Sequence, residues 1–378
     1  MTNRRDFIKG AAAGGVMFCG CGVTPAQAQS GAPNLSYRHP DSGRKHKPVM
    51  VGGKRVKTID VHSHCFFKDA IEAAGPGISV NAPVKGSPEH YIQVSNQDLV
   101  KVRLDAMDAM GIDMEVLSVN PFWYKAERDR AAEIIKLNNT HLAELCAAHP
   151  KRFSAFATLS LQYPDLAVEQ LSAAMKMPGF RGAGIGGSVD GVDFSDPKFH
   201  PVWAKAEELG AVLFIHPQST PQLASRFKGN GWMANTVGNP LDTTLALQHL
   251  IYEGTLDKFP GLKVLAAHGG GYLGSYAPRM DHSCFVSPAG CNPEIVLKKK
   301  PTEYLNQMYF DALVFTPEAL RHLVAQVGAS QVMIGTDHPI PWEDHPVEHV
   351  MATASLTPAQ KAAILGGNAA RLLKITEI

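Results

Sequence analysis

Short apolar runs alternate with longer amphipathic stretches through most of the chain. The runs Thr58–His62, Met114–Ser118, Phe153–Thr158, Gly182–Ile185, Val212–His216, Lys263–His268, Met308–Ala312 and Val332–Asp337 predict strands. Two of them, AVLFI and LKVLAA, are apolar without alternation, as parallel strands buried on both faces require. Between them, Asp98–Gly111, Arg128–Pro150, Asp196–Gly210 and Thr316–Gly328 carry apolar residues at helical spacing. Eight strand–helix units in about 320 residues predict an α/β fold, a (β/α)8 TIM barrel with insertions. An open doubly wound sheet is the competitor. The first strand is not followed by a Gly-rich nucleotide fingerprint, and the glycine cluster Gly182–Gly187 stands alone.

The barrel pattern occupies residues 57–378. Residues 29–56 are rich in Gly, Pro, Ser and Lys and lack apolar periodicity, so they read as a linker or N-terminal arm. Residues 1–28 have the layout of an export signal peptide: a charged start (NRRDFIKG), a short apolar region, and a small-x-small site at Ala26-Gln27-Ala28. The pair Arg4-Arg5 with Phe7 and Lys9 resembles a twin-arginine signal, although Asn3 stands where Ser or Thr is usual. A periplasmic or secreted protein is therefore expected. The apolar region is too short to span a bilayer, so no transmembrane segment is expected. The residues before Cys19 and Cys21 form no convincing lipobox. Of the later cysteines, Cys65, Cys146, Cys284 and Cys291, none has CxxC spacing. Cys284 and Cys291 can pair in an oxidising compartment, but isolated buried thiols are the simpler reading.

Charge narrows the partners. The chain has 378 residues, 45% of them hydrophobic, and a formal net charge of +1. It therefore has no electrostatic footprint for nucleic acid or an anionic membrane.

The chemistry gathers at strand ends. His62 and His64 close the first predicted strand, His216 the fifth, His268 the sixth and Asp337 the eighth. In a barrel these C-terminal ends share one rim, where active sites are built. Residues i and i+2 of a strand point the same way, so His62 and His64 can address one point in space. With His216 and Asp337 they form a nitrogen-and-oxygen site for one divalent metal ion. Zinc suits it best, with manganese, cobalt or iron as alternatives. His268 is placed to move a proton beside it. A single histidine of this kind is usually an ordinary packed residue; five groups at five strand-end positions are not so easily explained. His141, His149, His200, His249 and His322 fall in helical runs and are expected on surfaces or in packing. Asp60 is expected either to orient a ligand or to be a buried, hydrogen-bonded carboxylate.

The motifs IDVHSH, LFIHP, FPGLKVLAAHGGG, YFDAL and IGTDHPIP, with HPKRFSAFATL and a closing GGNAARLLKI, resemble the amidohydrolase superfamily. The branch is that of the metal-dependent decarboxylases typified by aminocarboxymuconate semialdehyde decarboxylase. The resemblance runs from about Lys57 to Lys374, in the family's order. It implies a barrel with a single catalytic metal, held by His62, His64, His216 and Asp337, with His268 transferring the proton. The fourth strand ends without the lysine that two-metal members carboxylate. Trp232 resembles the decarboxylase's pocket tryptophan. Arg279 resembles an arginine that the family places in a neighbouring subunit's site, which implies a homodimer. Two further family arginines that clamp substrate carboxylates lack counterparts here, which puts the muconate substrate in doubt. Phe66, Phe67, Phe122, Trp123 and Tyr124 follow the first two strands. They are expected either to wall a pocket for a planar ring or to anchor loops on the barrel.

The expected function is non-oxidative decarboxylation of a small aromatic or unsaturated carboxylate. The alternative is metal-dependent hydrolysis of a C–C, lactone or amide bond, or hydration, of a similar ring-derived substrate. A third possibility, a metal-binding accessory subunit with a retired site, conflicts with the intact ligand set.

Overall fold

The computed structural model describes residues 48–75, 90–120 and 123–376. The expected signal over residues 1–28, most of the arm, and Phe122 lie outside these. The arm's last residues pair as a hairpin, β1 (Val49–Val51) with β2 (Lys54–Val56).

Eight strands then follow in chain order: β3 (Ile59–His64), β4 (Met114–Ser118), β5 (Phe153–Ala157), β6 (Phe180–Ile185), β7 (Val212–Ile215), β8 (Lys263–Ala266), β9 (Met308–Asp311) and β10 (Val332–Met333). Each pairs in parallel with the next. The two edges also meet. Val61 N–H donates to the Ile334 carbonyl at 3.0 Å, Asp337 N–H to that of His62 at 2.8 Å, and His64 N–H to that of His338 at 2.7 Å. The sheet is a (β/α)8 barrel, as the alternation of elements predicts.

The long helices are α1 (Lys68–Ala74), α2 (Gln97–Met110), α3 (Arg128–Ala148), α4 (Pro164–Ala174), α5 (His200–Leu209), α6 (Asn239–Tyr252), α7 (Leu273–Val286), α8 (Pro317–Val327) and α9 (Pro346–Ala352). Local chemistry sets their ends. The Asn96 side chain caps α2 by accepting from Leu99 N–H, and Gly111, at φ 72°, ends it in the left-handed conformation that a Cβ disfavours. Thr316 caps α8 by accepting from Ala319 N–H, ahead of a proline that suits the first helical turn. Each helix lays its apolar stripe on the strands, as Leu320, Leu323 and Val327 of α8 do.

Two apolar layers result. One fills the barrel with Ile59, Val61, Val116, Phe156, Phe214 and Leu265, closed at its lower end by Leu372, Leu373 and Ile375. The other lies between strands and helices. Phe156 and Phe214 stack inside at 5.4 Å between ring centroids, each fully buried side chain contributing about 2 kcal/mol. The glycine cluster at β6 has a packing role. A Cβ on Gly182 would collide with the β7 backbone at Val212, and one on Gly187 with the Asp242 carboxylate.

One fully buried ion pair braces the closure. Arg103, in the middle of the apolar stripe of α2, donates from Nε to Glu115 of β4 at 2.7 Å and from Nη1 to the His64 carbonyl at 2.9 Å. The other Glu115 oxygen lies 2.7 Å from His338 Nδ1. Burial pushes the Glu115 carboxyl up, and the Arg103 and His338 charges override it, holding the group below its ordinary range.

Cys284 and Cys291 are joined by a disulfide at the end of α7, so the reading of these two as isolated thiols is corrected. Cys284 is exposed in the last turns of α7 and Cys291 is half-buried just beyond it, so neither belongs to the core. Cys65 and Cys146 are free and buried, as expected of packing residues.

Candidate metal centre and its cavity

A bulge aims the first two histidines. Between Asp60 and Ser63 the register of β3 on β4 slips by one residue. The Asp60 carboxylate takes the His62 N–H at 2.9 Å and the Thr336 hydroxyl at 2.5 Å. Burial, followed by the Glu115 charge, raises the Asp60 carboxyl to about 7. Val61 still faces the barrel interior, and above it the His62 ring enters beside Phe214, His216 and His268, with centroids 5.0 to 5.1 Å away.

The five groups converge. One atom each from His62, His216, His268 and Asp337 lie within 4.8 Å of one another. His64 Nε2 adjoins them, 3.2 Å from His62 Nε2 and 2.8 Å from Asp337 Oδ1. Asp337 Oδ1 also faces His62 Nε2 at 3.2 Å and His216 Nε2 at 3.8 Å. His268 Nε2 instead faces Oδ2, at 3.7 Å.

The outer nitrogens fix the tautomers. His62 Nδ1 lies 2.6 Å from the Asp311 carboxylate, which can only accept. His64 Nδ1 lies 2.9 Å from Ser118 Oγ, whose own proton goes to the Ser63 carbonyl. His216 Nδ1 lies 3.1 Å from the Pro217 carbonyl and 2.8 Å from the Asn120 Nδ2, which donates to it. His62 and His64 each carry a proton on Nδ1, so their Nε2 atoms, His216 Nε2 and the Asp337 carboxylate all point at one place. His216 Nε2 and Asp337 Oδ1 are buried without a hydrogen-bond partner among the described residues. Acceptors that converge without donors are what a cation resolves, so this donor set fits one divalent metal ion.

Electrostatics agrees. Burial lowers His64, and it lowers His216 much further with help from the neighbouring rings, so both stay neutral. Burial pushes Asp337 up, but the His62 charge and the surrounding imidazoles hold it well below the usual carboxylate range. Burial also lowers His62, yet Asp337 and Asp311 outweigh it and raise the ring to about 10, so without a metal this ring holds a second proton that a cation must displace.

A cavity of about 150 Å³ opens beside His268, lined by Asn235, Thr236, Asn239, Pro240, Phe315 and Trp342. Trp232 stacks on Trp342, with centroids 5.7 Å apart and planes 8° from parallel. His268, Asp337, Trp232 and Phe315 all have positive φ, between 49° and 66°. Such conformations are costly for residues with a Cβ and cluster at functional sites. Phe66 and Trp123 are packed away, 5% and 2% exposed, and neither lines this cavity. Phe66 rests on His90 and Tyr91, while Trp123 belongs to the layer under the helices. Arg279 is exposed on α7 and is not among the lining residues.

Three contributors escaped the sequence reading. Asp311 had a signal, since it ends a strand in YFDAL just as the histidines end theirs. Trp342 follows IGTDHPIP by one residue, and Phe315 follows the ninth strand; neither position has a periodicity to mark it.

Against known proteins, the amidohydrolase family profile matches residues 59–375. The chain belongs to the amidohydrolase family. This amidohydrolase is 32% identical over 275 residues to 2-amino-3-carboxymuconate-6-semialdehyde decarboxylase of Dictyostelium discoideum, covering 72% of this chain and 76% of that protein. It is 31% identical over 308 residues to gamma-resorcylate decarboxylase of Rhodococcus jostii, covering 77% and 92%. Among solved structures, a dihydroxybenzoic acid decarboxylase of Polaromonas with bound manganese and the inhibitor 2-nitroresorcinol superposes with a TM-score of 0.71 at 27% identity. That match covers 85% of this chain and 98% of the other.

Proposed function

We propose that the protein is a mononuclear, metal-dependent, non-oxidative decarboxylase of a small aromatic or unsaturated carboxylate. The observation that carries this reading is the division of the Asp337 carboxylate. Oδ1 faces His62, His64 and His216, whereas Oδ2 faces His268, which lines the cavity. Three imidazoles and Oδ1 serve as ligands, and His268 is left free to work on the substrate. The two curated relatives named above are decarboxylases.

The metal, when bound, holds substrate oxygens and stabilises the charge that develops as the carbon–carbon bond breaks. The remaining work belongs to side chains. His268 holds a proton next to Asp337 Oδ2 and delivers it to the carbon that bears the carboxylate. A carbon–hydrogen bond forms there, the carbon–carbon bond breaks, its electron pair returns to the unsaturated system, and carbon dioxide leaves. Phe315 and Trp342, on which Trp232 stacks, give the cavity flat walls for a planar ring. A space of about 150 Å³ admits a single six-membered ring. Asn235, Thr236 and Asn239 offer hydrogen bonds to ring substituents.

Zinc is the metal that the three-nitrogen, one-oxygen donor set favours, with manganese, present in the Polaromonas structure, as its rival. Export through a twin-arginine signal is part of the proposal, and the Cys284–Cys291 disulfide supports an oxidising destination. A homodimer is proposed through α7, where Tyr276, Phe285 and Val286 are strongly exposed beside Arg279. No helix among the described residues is long and apolar enough to cross a membrane.

The test is carbon dioxide release from a panel of hydroxybenzoates, run beside lactone and ester hydrolysis. Metal-dependent release from at least one acid supports the proposal. Hydrolysis without any release overturns it.

A further inference from the structure

We propose that Asp311 is a positioning residue that ties the metal ligand His62 to the proton-transfer residue His268 through one carboxylate. The inference rests on the proposed metal reading for His62 but not on the reaction catalysed. Asp311 ends β9 and is fully buried. Its Oδ2 lies 2.6 Å from His62 Nδ1 and 2.9 Å from His268 N–H. Its Oδ1 accepts from Gly269 N–H at 2.8 Å and Leu313 N–H at 3.1 Å. Every partner is a donor, so the acceptor capacity of an ionised carboxylate is fully used.

The two halves of this arrangement act on different groups. On one side, the carboxylate keeps the proton of His62 on Nδ1 and leaves Nε2 bare toward the cluster, which is the tautomer a ligand needs. On the other, the bonds to His268 and Gly269 secure a backbone bend in which His268 sits at φ 55°. That bend carries the ring to the cavity wall and to 3.7 Å from Asp337 Oδ2. The fit leaves little slack, because a Cβ on Gly335 would strike both Asp311 and His62. Asparagine cannot take over. Whichever way its amide turns, an NH2 group meets two donors.

The experiment uses Asp311→Asn with zinc as the probe. Zinc affinity is measured by chelator competition, and the histidine tautomers of the zinc-loaded protein by 15N NMR. The His62 signals are assigned by their loss in His62→Gln. In the wild type, Nδ1 of His62 is expected to carry the proton. In Asp311→Asn, zinc affinity is expected to fall roughly 10- to 100-fold. At saturating zinc, kcat on any substrate found should fall further, with KM little changed. Zinc affinity unchanged in a folded Asp311→Asn, or a wild-type His62 protonated on Nε2, overturns the proposal. Should the variant not fold, the wild-type spectrum alone decides. Failure of the decarboxylase reading would leave both the affinity and the tautomer measurements intact.

Discussion

His268 meets Asp337 on the carboxylate oxygen that the other three imidazoles do not share, with Nε2 3.7 Å from Oδ2. In the proposed mechanism, ligation and proton transfer are divided between the two sides of one side chain. The division is testable by deletion. His268→Ala should retain stoichiometric metal and lose at least about 100-fold in kcat, the low end of what general acid–base residues contribute. His216→Ala should lose the metal itself. Metal content by elemental analysis and steady-state kinetics check the pair; near-normal turnover in His268→Ala refutes the assignment.

Metal uptake should release a proton. Nε2 of His62, Nε2 of His64 and Oδ1 of Asp337 lie 2.8 to 3.2 Å apart, too close for all to stay bare without a cation. In the metal-free protein a proton fills that place, and the ion must displace it. The expected sign is tighter binding as pH rises. Titrating metal into the metal-free protein in buffers of differing ionisation enthalpy should give an apparent binding enthalpy that tracks the buffer. A buffer-independent enthalpy would contradict the geometry.

The aromatic wall should act on substrate binding. Trp342→Ala removes a cavity wall and the partner on which Trp232 stacks. The loss of ring stacking is worth about 1 kcal/mol or more, so KM should rise several-fold while metal content stays normal. Phe66→Leu, in the packed region away from the cavity, should leave KM unchanged.

Glu115 should matter to stability. Glu115→Gln removes the buried carboxylate charge that Arg103 Nε and His338 Nδ1 share, at an expected cost of about 3 kcal/mol. Urea unfolding of metal-free protein measures it. An unchanged midpoint would show that the clamp contributes nothing to closing the barrel.

The legible and illegible parts of this chain divide along physical lines. Strand ends were legible because apolar runs terminating in His or Asp are local patterns: His62, His64, His216, His268 and Asp337 all reach the same rim. The bulge between Asp60 and Ser63 was not, since it depends on which β4 residue each β3 residue faces. Nothing in the helical run Asp98–Gly111 marks Arg103; only the folded barrel supplies Glu115 and the His64 carbonyl beneath it. Phe66 and Trp123 were candidates for the ring wall because aromatic loops near a rim are ambiguous between pocket and packing. The cavity is walled instead by Phe315 and Trp342, brought in from distant loops. The Cys284–Cys291 bridge is a short-range feature, but spacing alone does not separate it from two free thiols.

The central claim is that one metal ion, held by His62, His64, His216 and Asp337, drives decarboxylation beside His268. The most direct measurement is carbon dioxide release from 2,6-dihydroxybenzoate and related hydroxybenzoates, before and after chelation and after metal is restored. The expected result is turnover that disappears with the metal and returns with one equivalent of zinc or manganese. Release that is indifferent to chelation, or loading that requires two metal ions per chain, would contradict it.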